Sequence, residues 1–246
     1  MFDYDAFLRR NDRAALMFSG GRDSLALLEH AKDYLGRMTV LWVNSGDAFP
    51  ETLEQMRRVR KAVPHFVEVA GDQPGVVRRY GPPSDLVDVW ATPFGKLIED
   101  SNPHSMIPAW ECCNLTLWQP AWTFLRRNGY NGVLRGQRQD EFHKARIMSG
   151  MLQDGIEVGF PIEDWTEAET LQFLKDRGIE LPTNYDWFHS SADCMTCTGY
   201  LAQNEGKIGY LKEYHPEAAK IVRVRLQQLH AAGNARMNVL EQRLGE

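Results

Sequence analysis

No stretch of the 246-residue sequence stays apolar for the roughly 20 residues that cross a bilayer, so no membrane helix is expected. The first five residues, Met1 to Asp5, carry acid where a secretory leader carries base, and a cytoplasmic location is the expectation. Basic charge is not in excess. Twenty-eight Lys and Arg face 33 Asp and Glu, a net charge of -5 with a pI near 5.8. That balance gives no overall attraction to nucleic acid and leaves small anionic ligands, or a local basic patch, as routes to one. Cysteine is scarce: the four present form two close pairs, Cys112-Cys113 and Cys194-x-x-Cys197. In a reducing compartment such pairs favour metal binding or redox chemistry over structural disulfides. There is no internal repeat, no low-complexity tract and no G-x-x-x-x-G-K-[ST] loop. With 43% hydrophobic residues, the chain is long enough for one sizeable α/β domain and a small appended subdomain.

What is present begins with a short apolar run at residues 14–18 that ends in Ser19-Gly20-Gly21. Helical spacing follows through Leu25, Leu27, Leu28, Ala31 and Leu35, giving strand, tight loop and helix. Residues 38–43 form a second buried strand, followed by a turn at Ser45-Gly46-Asp47 and a helix over 50–62 with Pro50 in its first turn. Residues 65–70 make a third strand. Strands joined through helices of this length pair in parallel. Residues 71–110, rich in Gly, Pro and Ser around two expected helices, read as an insertion over the sheet edge. A helix over 120–127, a strand over 132–136, a hairpin over 154–162 and a capping box at Thr166-x-x-Glu169 follow, with Gly178 closing that helix. From Pro216 a largely polar helix runs on and is expected to break near Gly233.

Glycines at 20 and 21 let the backbone approach a phosphate, and the helix that follows offers free N–H groups and its positive dipole end. Ser19 and Ser24 add hydroxyls and Arg22 adds charge. This loop follows the first apolar strand, where open α/β sheets place ligands. Arg135, Arg138, Lys144 and Arg146, interleaved with Asp140 and Glu141, are candidates to close on phosphates. His143 and His189 are candidate acid-base groups, and Lys220, Arg223 and Arg225 candidate nucleic-acid contacts; a solvated surface role competes with each. Trp165 reads as a packing residue. The two cysteine pairs, far apart in sequence, suit either tetrahedral zinc or an iron-sulfur cluster once folding brings them together.

Four ordered segments carry a resemblance to the PAPS reductase family of PP-loop proteins. Phe18 to Ser24 (FSGGRDS) resembles the S-G-G-x-D-S loop of ATP pyrophosphatases, and Leu41 to Leu53 (LWVNSGDAFPETL) resembles the family's strand leading into Phe-Pro-Glu-Thr. Arg135 to Arg146 (RGQRQDEFHKAR) is similar to its Gly-Gln-Arg-Arg-Asp-Gln stretch, and residues 161–182 to its Pro-Leu-x-Asp-Trp-Thr helix with an Ile-x-x-Pro exit. The resemblance implies a doubly wound α/β fold with a mainly parallel sheet and flanking helices, of the adenine nucleotide alpha-hydrolase type. Residues 1–185 would form the nucleotide-binding domain, and 186–246 a small extension with the CxxC segment and a helical tail.

The resemblance also implies a ligand set. ATP, or APS or PAPS, would be bound by Ser19, Gly20, Gly21, Arg22, Asp23, Ser24, Asn44, Gly136, Arg138 and Arg146. Asp23, Arg22 and Arg138 would act in catalysis, with Mg²⁺ assisted by Asp23. The Cys-Cys plus Cys-x-x-Cys set is similar to the ligands of a four-iron four-sulfur cluster in APS reductases, implying Cys112, Cys113, Cys194 and Cys197 here, ahead of zinc. Two features depart from the reductases: no cysteine follows Cys197, and Asn114 to Leu117 stand where the reductases carry Arg and Lys. The loop itself is complete, as ATP cleavage requires. The function implied is an ATP pyrophosphatase serving iron-sulfur-assisted sulfur transfer, similar to the PAPS-reductase-like component of DNA phosphorothioation systems and more distantly to tRNA thiolation enzymes. A sulfur-donor protein such as a cysteine desulfurase, and a DNA or tRNA acceptor reached through a complex, are the implied partners. Two other readings stay open, an APS or PAPS reductase using an external thiol and a non-catalytic nucleotide-sensing subunit.

Overall fold

The computed structural model describes residues 2–86, 106–141, 147–190 and 193–244. Its centre is a six-stranded sheet of order β3-β2-β1-β6-β8-β7, built from β1 (Ala14–Met17), β2 (Met38–Asn44), β3 (Phe66–Ala70), β6 (Gly132–Leu134), β7 (Leu152–Gln153) and β8 (Ile156–Gly159). All neighbours pair in parallel except β7, which returns antiparallel to β8 as the expected hairpin. Strands β4 (Pro83–Ser84) and β5 (Ile107–Pro108) make a small separate parallel pair.

Alternation along β1 explains the two-sided packing. Ala14 and Leu16 join one core with Tyr4, Phe7 and Leu8 of α1 (Tyr4–Arg10), Leu27 and Ala31 at the end of α2 (Arg22–His30) and Met56 of α3 (Pro50–Ala62). Ala15, with Leu41, Val133 and Val158, faces the opposite side and meets Ala121, Trp122 and Leu125 of α6 (Gln119–Arg127). Successive residues of a strand point to opposite faces, so a central strand buried on both sides is apolar throughout. Leu16 and Leu134 are fully buried, and truncating either to Ala would cost about 2–5 kcal/mol.

Helix α4 (Gln73–Tyr80) lies in the segment read as an insertion, and residues 87–105 of that segment lie outside the described residues. Helix α5 (Ala109–Cys113) continues through a π-helical turn (Asn114–Trp118) into α6, so both N-terminal cysteines ride on one helical rod. Helix α7 (Glu167–Asp176) begins with the expected capping box and packs on α2 through Leu174, Ala26 and Ile162, with Trp165 in the same cluster. Helices α8 (Lys207–Tyr214) and α9 (Pro216–Leu244) end the chain. The break expected near Gly233 is not there, because α9 runs through it. A glycine costs a helix interior only about 1 kcal/mol, and the Ala- and Leu-rich turns on either side offset that.

Candidate functional site

The strand order reverses direction between β1 and β6, and the loops leaving those two strands meet at the carboxyl edge of the sheet. Such a switch point opens a crevice for a ligand. Residues 19–24 leave β1 and enter α2 with the chain drawn tight around Ser24. Its Oγ accepts the N–H of Gly20 at 3.0 Å and of Ser19 at 3.3 Å, and donates to Gly21 O at 2.9 Å. Gly20 sits at φ +85°, and a Cβ there would come within 2.4 Å of Gln55 Oε1, while Gln55 Nε2 donates to Gly20 O at 3.1 Å. Gly136, after β6, touches the first turn of α2 so closely that a Cβ would stand 2.8 Å from Asp23 O. The two loops therefore form one surface.

An ionic cluster covers it. Arg138, with only 4% of its side chain exposed, donates from Nε to Asp23 Oδ1 at 2.7 Å and also pairs with Asp140. Arg22 pairs with Glu167 at the start of α7 and lies 3.7 Å from Asp23. Asp140 in turn accepts the backbone N–H of Glu167 at 2.8 Å, tying the β6 loop to α7. Burial pushes the Asp23 carboxyl up from its ordinary value, against the pull of Arg138 and Arg22, and Glu167 adds to the rise. Glu141 is raised chiefly by burial and then by Asp23. Carboxylates thus crowd each other in a partly dry place.

Tyr185, in the 3₁₀ turn Thr183–Asp186, accepts the backbone N–H of Arg22 on its hydroxyl at 2.9 Å. Burial raises that phenol to about 12. A cleft lined by Ser19, Gly20, Gly21, Glu51, Gln55, Tyr185 and Tyr210 runs beside the loop. Larger hollows lie elsewhere, among them a groove of about 840 Å³ between α4 and α9 that is remote from these charges. Asn44, at the end of β2, donates to Glu68 at 2.8 Å and accepts the N–H of Gly46 at 3.0 Å, so its amide serves the strand end and the turn. His189 is exposed. His143, Lys144 and Arg146 lie outside the described residues. Sequence reasoning missed Tyr185 and Glu167; neither carries a motif signal, although Glu167 sits at the helix start that the capping box marks.

The four cysteines are free thiols on two facing segments. The CxxC loop is fastened on several sides. Asp47 accepts Thr196 N–H at 2.8 Å and Thr196 Oγ1–H at 2.7 Å, and its carbonyl accepts Met195 N–H at 2.7 Å. Lys207 Nζ donates to the carbonyls of Cys194 at 3.0 Å and Cys197 at 3.2 Å, and Arg225 donates to Thr196 O at 2.5 Å. Thr198 and Tyr200 bond Pro83 and Asp85 across the gap to the β4 segment. Burial, followed by the charge of Cys197, raises the Cys112 thiol to about 11 and pushes Cys113 and Cys194 up as well. Mutual influence of this kind requires neighbouring sulfurs. Gly199 N–H donates to Cys197 Sγ at 3.4 Å, a contact that suits a thiolate. Among the described residues no three His, Cys, Asp or Glu side chains converge on one single-ion position.

These features define a doubly wound α/β protein with a glycine-rich strand-loop-helix at its switch point and a four-thiol cluster beside it. The phosphoadenosine phosphosulfate reductase domain matches residues 13–200, and the chain belongs to that family. Sulfate adenylyltransferase subunit 2 of Streptomyces lavendulae is 26% identical over 209 residues, 71% of this chain and 56% of that protein. The adenosine 5'-phosphosulfate reductase of Salinibacter ruber is 24% identical over 188 residues, 76% of this chain and 68% of the other. The chain therefore spans little more than half the length of the first of these relatives. Similar solved structures include the phosphate complex of PAPS reductase from Candida auris (TM-score 0.48, 16% identity, 70% of this chain and 76% of that one). Another is the U34-tRNA thiolase NcsA of Methanococcus maripaludis with its [4Fe-4S] cluster (TM-score 0.47, 13% identity, 93% and 75%). No helix among the described residues is long and apolar enough to cross a membrane.

Proposed function

We propose that the chain is an ATP pyrophosphatase that adenylates an acceptor for sulfur transfer. The observation that carries this reading is the convergence of a tight glycine-serine loop at the start of α2 with Asp23, Arg22 and Arg138 on one crevice. An acceptor oxygen attacks the α-phosphorus of ATP, the bond to the β-phosphate breaks, and pyrophosphate leaves with the electron pair. Residues 19–24 bind the departing pyrophosphate through backbone N–H groups and the Ser19 hydroxyl. Arg22 and Arg138 neutralise charge on the phosphoryl oxygens as it shifts towards the leaving group. A sulfur nucleophile, delivered by a partner of the cysteine desulfurase kind, then displaces AMP from the activated acceptor. A DNA or tRNA reached through a complex is the proposed acceptor, and the family's adenylyl-sulfate chemistry is the rival.

The crowding of Asp23 by Glu141 and Glu167 suits a divalent cation, and Asp23 is the residue proposed to hold Mg²⁺. A four-iron cluster takes one thiolate per iron, and Cys112, Cys113, Cys194 and Cys197 would hold it. Such a cluster supplies sulfur- or electron-transfer chemistry when bound.

Anaerobically purified protein with Mg-ATP should release pyrophosphate and AMP together, water standing in for the acceptor. Asp23→Ala should lower that rate at least about 100-fold, the scale of losing a charge-stabilising group in a transition state. Persisting turnover would refute the loop assignment. Sulfite from APS or PAPS with added thiol would instead establish a reductase, and tight ATP binding without turnover a sensor.

A further inference from the structure

Arg135 is the first residue past β6, its backbone N–H bonded to Gly159 O at 3.0 Å. Its guanidinium lies 4.4 Å from the centre of the Trp118 ring and 5.7 Å from that of Phe160. Arg22 and Arg138 nearby are each held by carboxylates, but among the described residues Arg135 has no ion pair; Glu141 acts on it only at a distance. Burial lowers its pKa accordingly. A half-buried cation that forms no ion pair among the described residues is open to an anionic partner. Stacking on an indole fixes the plane of the guanidinium and leaves its N–H edge available for a bidentate acceptor.

Its position narrows the ligand. Trp118 closes the π-helical turn that starts directly after Cys113, and Gly136, the next residue, touches Asp23 of the phosphate loop. The cation therefore lies against the helical rod that carries Cys112 and Cys113, one residue from the glycine that touches the nucleotide loop.

We propose that Arg135, held flat on Trp118, binds a tetrahedral oxyanion: the α-phosphoryl group of an adenylated species or the sulfonyl group of adenylyl sulfate. This rests on the adenine-nucleotide reading of the crevice and adds the group that sits on its cysteine side. The two sources share one chemistry, at least two terminal oxygens on a tetrahedral centre accepting a charged fork.

The test compares the wild type with Arg135→Met and Arg135→Lys, each as the full chain with its iron content checked. Melting temperature is read with and without inorganic sulfate, and affinity is measured for adenosine, AMP and APS. In anion-free buffer Arg135→Met should melt no lower than the wild type, since it removes a half-buried charge that forms no ion pair among the described residues. It should lose the sulfate-dependent rise in melting temperature and bind AMP or APS about tenfold more weakly, with adenosine unchanged. Arg135→Lys should recover part of that affinity, keeping the charge without the fork. A larger loss for APS than for AMP assigns the sulfonyl group, and equal losses assign the α-phosphoryl. The proposal is overturned if Arg135→Met melts lower without anion, as a purely structural arginine would, or if its AMP and APS affinities stay within about twofold of wild type, a difference well under 1 kcal/mol. If the wild type binds no adenine compound the nucleotide reading falls, and the sulfate-dependent melting shift still decides Arg135.

Discussion

In the proposed binding mode a phosphate oxygen takes the N–H of Arg22, which Tyr185 accepts in the ligand-free protein. A phenol held neutral by burial is a stand-in that an anion can displace, because the phosphate offers a charged acceptor in place of a neutral one. Tyr185→Phe should therefore destabilise the ligand-free protein by about 1 kcal/mol, the cost of one orphaned donor, and leave ATP affinity equal or higher. Denaturant melts with and without ATP check both halves. Asp23 offers a second test at this scale. Its folded pKa lies above its unfolded one, so between the two values the folded state holds more protons and stability falls as pH rises. Asp23→Asn removes that penalty. The variant should melt above the wild type near pH 7, with the gap closing as pH falls below the ordinary carboxylate range. A gap that widens on acidification would mean that the arginines outweigh burial. The loop residues and Arg138 were legible in sequence because glycine, serine and arginine at fixed spacing have few other uses. Tyr185 was not, since a contact between a phenol and a backbone N–H more than 160 positions away leaves no local pattern.

Among the elements, the CxxC loop depends on Asp47, a residue in the turn after β2 rather than on any cysteine neighbour. Asp47→Ala would strand the N–H and hydroxyl of Thr196, which is 3% exposed, at a cost of about 1–3 kcal/mol. The expected result is a several-fold lower iron content with ATP affinity intact; Asp47→Asn, which keeps a carbonyl acceptor, should retain more iron. Cys194→Ser should remove most of the visible absorption, and an unchanged spectrum would exclude that cysteine as a ligand. The helix over 50–62 and the capping box at Thr166 were legible because proline at a first turn and a reciprocal Thr-Glu pair are local devices. α1 and α8 went unread, being 7 and 8 residues long, too short for periodicity to stand out. Pro120 masked the rod from α5 to α6; it falls in the first turn of α6, where a missing N–H is tolerated when a π-helical turn precedes it.

For the whole molecule, the proposed boundary at residues 185 and 186 separates chemistry more than it separates cores. Phe49, from the nucleotide-binding part, is buried with Phe188, Tyr210, Leu211, Ala218 and Val222 of the extension. Glu51, two residues on, accepts Tyr210 Oη–H at 3.1 Å and lies 2.9 Å from His215 Nε2. The extension thus packs its interior around Phe49, and a segment whose core is shared cannot open without cost to the part that shares it. Colour from a bound cluster and helical signal should then vanish in one transition on heating. Phe49→Ala should lower that transition by about 3–5 kcal/mol of stability and release iron at the same temperature as it unfolds the helices. Colour lost well before the helical signal would mean that residues 186–246 open as an independent unit, with the thiols held by the extension rather than by the fold as a whole.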